Sequence, residues 1–456
     1  MTANSGDGRT AGKSAAGNAN PYQSPHESGA DCVPVVNRGW QVTLAALGIN
    51  LALGILYTWS VISKAIPAEW GWKEADKSWP YSVACLVFAL MMVPAGRLQD
   101  RIGPRFVAAI GGLLVGAGMI LASLTTSPFG YIIGFGLLAG TGIGFGYASA
   151  TPPAVKWFPA ARTGLVAGIV VSGFGLASVY AAPLAQWLSG AIGLPATMFA
   201  LGVAFLIVVV GLAQLLVAPP KGYVAGGVKP AAGTVAAKRD DLGPGEMLRT
   251  GQFYLLWFMY ACGAGAGLMV ISKLAVISKV QVQIDLGFVF VAALAVGNGA
   301  GRIVAGMLSD KLGRQRTMLG CFIFQAALVL LLSTAKPGSP VANVAAMALI
   351  SALIGANYGA NLALFPSITK DYYGLKNFGV NYGLVFTAWG MGGFMLSLLA
   401  GHFYDTYKTF AFAYYGASAL LVLAAAASFF VRPPRFAAAV EPPRPAELAE
   451  RVPEKV

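Results

Sequence analysis

Gly96-Arg97-Leu98-Gln99-Asp100-Arg101-Ile102-Gly103-Pro104-Arg105 is answered 210 residues later by Gly306-Met307-Leu308-Ser309-Asp310-Lys311-Leu312-Gly313-Arg314-Gln315-Arg316. Both copies are charged, and both read as loops between long apolar stretches. One short motif in matching places of two halves points to a duplicated membrane bundle. A solenoid would repeat many times, at a period of roughly 20–50 residues.

The rest of the chain agrees with a bundle in lipid. Of its 456 residues 57% are hydrophobic and 11% charged, with mean hydropathy +0.67. A soluble chain carries roughly 25% charged residues. Uncharged stretches run over 39–63, 78–96, 106–155 and 163–220. The third is long enough for two helices turning at Ser127-Pro128, and the fourth for two broken near 189–195. Six more spans are expected near 251–277, 286–309, 317–335, 340–365, 378–404 and 409–431. At about 1.5 Å per residue, some 20 residues cross a hydrocarbon core of roughly 30 Å. The expected fold is all-α, with 12 transmembrane helices in two pseudo-symmetric six-helix halves. The halves fall at 38–218 and 251–431, joined by a cytoplasmic linker over 219–250 and flanked by disordered tails at 1–37 and 432–456.

Where the basic residues fall decides what the net charge of +13 means. With both termini in the cytoplasm, 23 of the 31 Lys and Arg lie in cytoplasmic segments, six in outer loops and two, Lys273 and Arg302, within spans. That asymmetry is the membrane pattern and orients a multi-pass protein of the cell (inner) membrane. No basic run alternates with aromatics, so nucleic acid is not an expected partner. The four cysteines, Cys32, Cys85, Cys262 and Cys321, have no metal spacing, and three fall in apolar spans. No His, Asp or Glu cluster lies in the spans and no phosphate-cradling Gly-Lys-Ser/Thr loop exists, so neither an enzyme nor direct ATP drive is expected, and no cofactor or metal.

The motif suggests a gate. Gly96 and Gly306 permit close approach of helix backbones. Asp100 and Asp310, at helix ends, are placed to accept hydrogen bonds from a neighbouring helix's amino-terminal amides and from the arginines Arg101, Arg105 and Arg314. Such a cluster holds the inner side shut in one state and must break in the other.

The two loops resemble the signature loop of the major facilitator superfamily, and the likeness covers 38–432. Five fragments, Tyr57-Thr58-Trp59-Ser60, Lys156-Trp157-Phe158-Pro159, Gly245-Glu246-Met247-Leu248-Arg249, Leu364-Phe365-Pro366-Ser367 and Asn381-Tyr382-Gly383, together resemble the oxalate/formate antiporter family, related to the monocarboxylate transporters. The resemblance implies the major facilitator fold and alternating access.

Arg302 stands eight positions before Asp310, roughly 12 Å along a helix from the motif and near mid-membrane. An arginine there costs at least about 2.5–3.5 kcal/mol on insertion scales, so it must face a cavity or a partner. A lone guanidinium in a cavity attracts a carboxylate and holds it by two parallel hydrogen bonds. The alternative is a pairing with Asp310 or a helix carboxyl end nearer the interface. The family resemblance implies a carboxylate-binding arginine at this place in helix 8. Asn298, one turn earlier, supports Arg302 or bridges helices. Lys273, near the outer end of its span, is expected to snorkel to water. By resemblance, Tyr57, Tyr147, Tyr358 and Phe386 line the cavity; ordinary packing accounts for each equally well.

In the oxalate exchangers a helix-11 lysine falls where this chain has Trp389. One cation suits a singly charged acid, so the expected substrate is a small monocarboxylate (formate, lactate, pyruvate or similar), moved by symport or exchange. An oxalate-type dicarboxylate exchanger is the alternative, and a membrane sensor of organic anions the alternative of another class. If a proton is a second partner, the acid itself or Asp285 carries it, since His26 and His402 lie outside the central cavity. The expected oligomeric state is a monomer.

Overall fold

The structure, a computed structural model, describes residues 37–220, 223, 242–374 and 377–434. Nearly all of the tails and the middle of the linker therefore lie outside the described residues, as do His26 and Cys32. The spans are α1 (Gly39–Lys64), α2 (Glu74–Ile102), α3 (Pro104–Ser123) and α4 (Pro128–Val155). Next comes one run, Ala160–Ala213, which turns at Gly193 (φ 77°, ψ 164°) into α5 (160–192) and α6 (194–213). The second half holds α7 (Gly251–Val280), α8 (Gly287–Leu312), α9 (Arg314–Ser333), α10 (Val344–Tyr373), α11 (Phe378–Tyr407) and α12 (Ala411–Ser428). Twelve helices in two six-helix halves is the expected architecture. Large apolar side chains such as Phe106, Trp187, Ile207, Ile303, Phe412 and Val422 stay exposed on the flanks, the reverse of a soluble surface.

Helix ends differ from the uncharged stretches, with one physical cause. A helix does not stop where lipid stops, so charged residues continue it into water. α2 extends four residues further out, to Glu74, and six further in, to Ile102; α10 continues to Tyr373. The two motif copies are therefore helical through Arg101 and Lys311, not loops. Each turns on one glycine, Gly103 (φ 90°, ψ 158°) and Gly313 (φ 89°, ψ 152°), in a backbone region that side chains disfavour. The near-identity of these turns expresses the duplication in the backbone.

α2 packs along α11, α5 along α8 and α1 against α7, so these seams join the halves, while α3 packs within the first half and α9 and α12 within the second. Behind the centre, α8 and α10 interlock through two glycine pairs. A Cβ on Gly297 or Gly301 would overlap the carbonyl of Ala352 or Ala356, and one on Gly355 or Gly359 the carbonyl of Leu294 or Asn298. This contact fixes the rotation of α8, and with it the direction in which Asn298 and Arg302 project.

Two of the quoted fragments pin the linker. Trp157 donates its indole N–H to the Val217 carbonyl (2.7 Å) and stacks edge-on with Tyr223. The Leu242 carbonyl accepts from the side-chain amides of Asn377 (3.1 Å) and Asn381 (3.0 Å) just before the short helix Pro244–Met247.

Candidate functional site

Arg302 comes off the centre of α8 toward α5 of the other half. Its Nε donates to Asn298 Oδ1 at 3.2 Å, one turn away, and its Nη1 to the Val171 carbonyl at 2.9 Å. The remaining nitrogen, Nη2, lies beside Gly175 of α5, where a Cβ would stand 3.1 Å away. The Tyr147 hydroxyl interacts with the guanidinium, and its charge reaches Tyr57 and Tyr382. Among the described residues no carboxylate pairs with Arg302, and Asp310 instead pairs with Arg314. The Asn298 Nδ2 is buried without an acceptor.

Rings from both halves close around this charge. Tyr57 (α1) stands edge-on to Phe174 (α5) and Tyr358 (α10), with centroids 4.9 and 5.7 Å apart. Tyr147 (α4) contacts Phe88 (α2), Phe174 and Phe386 (α11). Phe386 stacks on Trp389 at 5.1 Å. The structure thus brings Arg302, Asn298, Tyr57, Tyr147, Tyr358 and Phe386 into one central cluster. Sequence reading missed Phe88, Phe174 and Trp389, and also Tyr260 and Tyr382, whose rings stand edge-on to Phe386. Placing the two motif copies in register finds one of them: Phe88 stands twelve residues before Asp100, as Asn298 does before Asp310. The same register sets Met92 opposite Arg302, so the duplicated site carries its charge on one side alone.

Within the cluster the hydrogen-bond count does not balance. Trp389 Nε1 donates to the Tyr358 hydroxyl at 2.7 Å, and that hydroxyl meets the Tyr57 hydroxyl at 2.5 Å. Three donors share two bonds, and an indole only donates. One tyrosine O–H is thus left over in a buried setting, beside the orphan amide of Asn298. The centre offers donors and a positive charge and has no acid.

A sequence model described as the Major Facilitator Superfamily matches residues 42–295 and again 276–453. The chain belongs to the major facilitator superfamily. It is 29% identical over 356 residues to YhjX of Escherichia coli, an uncharacterized MFS-type transporter, covering 77% of this chain and 85% of that one. Identity to the oxalate:formate antiporter of Oxalobacter formigenes is 28%, over 77% of this chain and 81% of that protein. Monocarboxylate transporter 13 of Rattus norvegicus is 32% identical over a third of each chain. A bacterial homolog of the human lysosomal transporter Spinster, crystallised inward-facing and unoccupied, superposes with a TM-score of 0.62 at 16% identity, over 86% of this chain and 96% of that one. That last likeness concerns the fold alone.

At the helix ends that carry the motif, the ion pairs among the described residues of this facilitator all lie within the second half. Arg314 donates to Asp310 at 2.7 Å, to Asp371 of α10 at 3.2 Å, and to Ser309. Asp310 thus accepts from Arg314, and Asp371 is a third member of the cluster that sequence reading missed. Arg105 donates to Gln214 of α6 at 2.6 Å, and Arg101 is exposed. The Asp100 side chain lies outside what the structure describes. The expectation for Gly96 and Gly306 needs correction in this conformation. A Cβ on either would meet nothing within 4 Å, because the backbones that approach closely lie further into the membrane, at Gly297 and Gly301.

At the opposite helix ends, contacts cross between the halves. Lys64 at the end of α1 pairs with Asp285 before α8. This bond holds the Asp285 carboxyl below its ordinary range, and leaves Asp285 tied to a cation rather than placed in the centre. Lys273 of α7 corrects the snorkelling expectation. It is 2% exposed and donates to the Glu74 carboxylate and carbonyl of α2, both at 3.0 Å. Counting uncharged residues hid Glu74, because α2 begins a turn earlier than its apolar run. Asp405 of α11 accepts from the backbone N–H groups of Glu74 (3.0 Å) and Ala75 (2.7 Å), capping α2 from the opposite half. His402 is exposed near the same end.

Proposed function

We propose that this major facilitator moves a small monocarboxylate, of the formate, lactate or pyruvate size, by alternating access, through symport or exchange. One observation carries the reading: the central cluster contains a guanidinium without an acid, an amide without an acceptor and a surplus hydroxyl. A carboxylate supplies two acceptor oxygens and one negative charge, which complements that set. The surrounding rings keep water away and so strengthen the contact. Kinship with an oxalate:formate antiporter and with monocarboxylate transporters supports the substrate class. A buried indole at Trp389, where the exchangers carry a second cation, favours one negative charge over two. In this reading Arg302, Asn298, Tyr57, Tyr147, Tyr358 and Phe386 bind the anion, and the motif residues with Asp310 and Arg314 gate the inner side. The protein acts as a monomer in the cell (inner) membrane with both termini cytoplasmic, as its basic residues are distributed.

Counterflow in proteoliposomes, run with labelled formate, lactate, pyruvate and oxalate, tests this. Uptake of the monocarboxylates, reduced in Arg302→Gln, is expected. Transport of oxalate in preference to all three would replace the monocarboxylate reading with the dicarboxylate one. Binding of these acids without counterflow would favour a sensor.

A further inference from the structure

We propose that Tyr180 is a positioning residue: from the exposed flank of α5 it holds a tight turn in the middle of α1, and that turn sets where the Tyr57 hydroxyl stands in the centre. This role rests on the proposed function only in that Tyr57 belongs to the anion site. The contacts that carry it lie within the first half and involve no charge.

α1 is not one regular helix. Over Gly54–Thr58, in mid-span, it tightens to a 3₁₀ helix and returns to α at Trp59. Hydrogen bonds in such a segment are poorer, and a stretch of it inside a helix marks strain or a hinge. The repeat shows that packing common to both halves does not impose it. Val61-Ile62-Ser63-Lys64 of α1 recurs as Val270-Ile271-Ser272-Lys273 of α7. In that register the tight turn falls on 263–267, where α7 is regular α-helix, and Tyr57 falls on Ala266. The copy that departs from α geometry is the one whose side chain reaches the centre.

Contacts from α5 hold the turn at both ends. Asn50 donates its side-chain amide to the Val170 carbonyl at 2.8 Å, and the hydroxyls of Thr58 and Ser178 meet at 3.2 Å. Between them a Cβ on Gly54 would overlap Ala177 and the Phe174 carbonyl, so α5 lies directly against the turn. The remaining tie comes from the flank: Tyr180, 38% exposed, donates its hydroxyl to the Leu51 carbonyl at 2.9 Å. Tyr180 stands about 20 Å along α5 from the turn at Gly193, where no water competes for the hydroxyl. A carbonyl has a second lone pair, so Leu51 accepts this bond without giving up a helical one.

Relaxing the five residues to α-helix would shorten α1 by about 2.5 Å and turn its two parts by about 100° relative to each other, from the differences in rise and twist. With α1 tied to α5 at Asn50 and Leu51 on one side of the turn and at Thr58 on the other, α5 acts as a splint against that change. Tyr57, fourth in the turn, is thereby kept at the Tyr358 hydroxyl, 2.5 Å away. Without the Tyr180 tie the relaxed form gains population and Tyr57 spends less time in place. Apparent affinity then falls with the fraction of competent molecules, and saturating substrate restores it.

3-Fluorotyrosine at position 57 reports the turn in nanodiscs without substrate. Its 19F resonance is expected to shift in Tyr180→Phe and to stay in place in Tyr254→Phe, which removes an exposed hydroxyl from α7. Counterflow of labelled pyruvate gives the functional readout. Tyr180→Phe is expected to raise the half-saturation concentration by roughly 2- to 12-fold, the worth of one hydrogen bond, with the maximal rate per folded transporter unchanged. In a Tyr57→Phe background the same substitution is expected to add less than about twofold. A lower maximal rate at unchanged half-saturation would make Tyr180 a structural strut and overturn the proposal. An unmoved 19F resonance, or equal effects with and without the Tyr57 hydroxyl, would overturn it too. Wild-type protein that shows no counterflow of any carboxylate would instead count against the function proposed above, and the 19F measurement then decides the positioning role by itself.

Discussion

Replacing Arg302 by lysine separates a substrate anchor from a structural pin, because the two roles use different atoms of the side chain. The guanidinium is steadied by Nε on Asn298 and Nη1 on the Val171 carbonyl, which leaves the Nη2 edge beside Gly175 for a ligand. Lysine keeps the charge and loses the planar fork, so a carboxylate held by two bonds retains one. A hydrogen bond to a charged group contributes about 1.5–3 kcal/mol, which predicts binding weaker by roughly 10- to 150-fold in Arg302→Lys. Arg302→Gln also removes the charge. Truncating one partner of a buried charge pair costs about 2–5 kcal/mol, or roughly 30- to 4000-fold. The structural share is smaller, since the neutral carbonyl bond to Val171 contributes about 0.5–1.5 kcal/mol. Titration calorimetry with lactate or pyruvate in detergent gives the first quantity, and thermal unfolding of the same samples the second. The result that refutes the anchor role is full affinity in Arg302→Lys with a lowered melting temperature. Arg302 would then be a strut between α8 and α5.

Three further outcomes follow from contacts described above. Gly301→Val forces a branched side chain into the Ala356 carbonyl, so loss of folded, monodisperse protein in gel filtration is expected, while Gly306→Val, in open space, leaves the elution profile unchanged. Tyr358→Phe strands the buried Trp389 N–H at a cost of about 1–3 kcal/mol, seen as a lower melting temperature; adding Trp389→Phe recovers part of it, and no recovery would argue against the bond. For Asp285 the sign follows from its depressed carboxyl. The Lys64 contact contributes fully above the ordinary carboxylate range, near 3.8, and is lost only as pH falls through the lower folded value. Chemical shifts of a 13C-labelled Asp285 side chain should therefore stay constant from pH 8 to 5, and a midpoint within that window would contradict the pairing.

The parts legible in the sequence and the parts hidden from it follow from which physical forces act locally. Span number, both six-helix halves and the bend near Gly193 came from lipid, which excludes charge over a length any reader can count. Arg302 was conspicuous for the same reason, as a charge where the solvent forbids one. What stayed hidden was set by pairing across the chain. Glu74 and Asp405 look like loop acids because nothing local reveals that they meet Lys273 and the amides of α2, more than 190 residues away. The aromatic centre was half visible: Tyr57, Tyr147, Tyr358 and Phe386 came from resemblance and Phe88 from the register of the repeat, while Phe174, Tyr260 and Tyr382 are indistinguishable from lipid-facing rings until the helices have a rotation. That rotation is what the glycine pairs of α8 and α10 impose.

The same contrast bears on how the molecule works. Among the described residues the centre holds a positive charge without an acid, whereas at the helix ends away from the motif Glu74 and Asp285 are matched to lysines across the halves. In the proposed function a carboxylate reaches Arg302 from that end only after the contacts that cross between the halves have parted. Because Met92 occupies the place of Arg302 in the first half, an anion bound as proposed would be fastened chiefly to α8, with the aromatic and hydroxyl contacts reaching it from α1 and α4. The Tyr57–Tyr358 and Arg302–Val171 bonds both cross between halves. A ligand that strengthens these contacts favours the closed arrangement by its differential affinity and no more. An acid too large to allow the Tyr57–Tyr358 bond should thus bind without being carried. Comparing affinity with counterflow along a series from formate to longer 2-oxo acids would expose the size at which the two diverge, and no divergence would mean that this hydroxyl bridge is not part of closure.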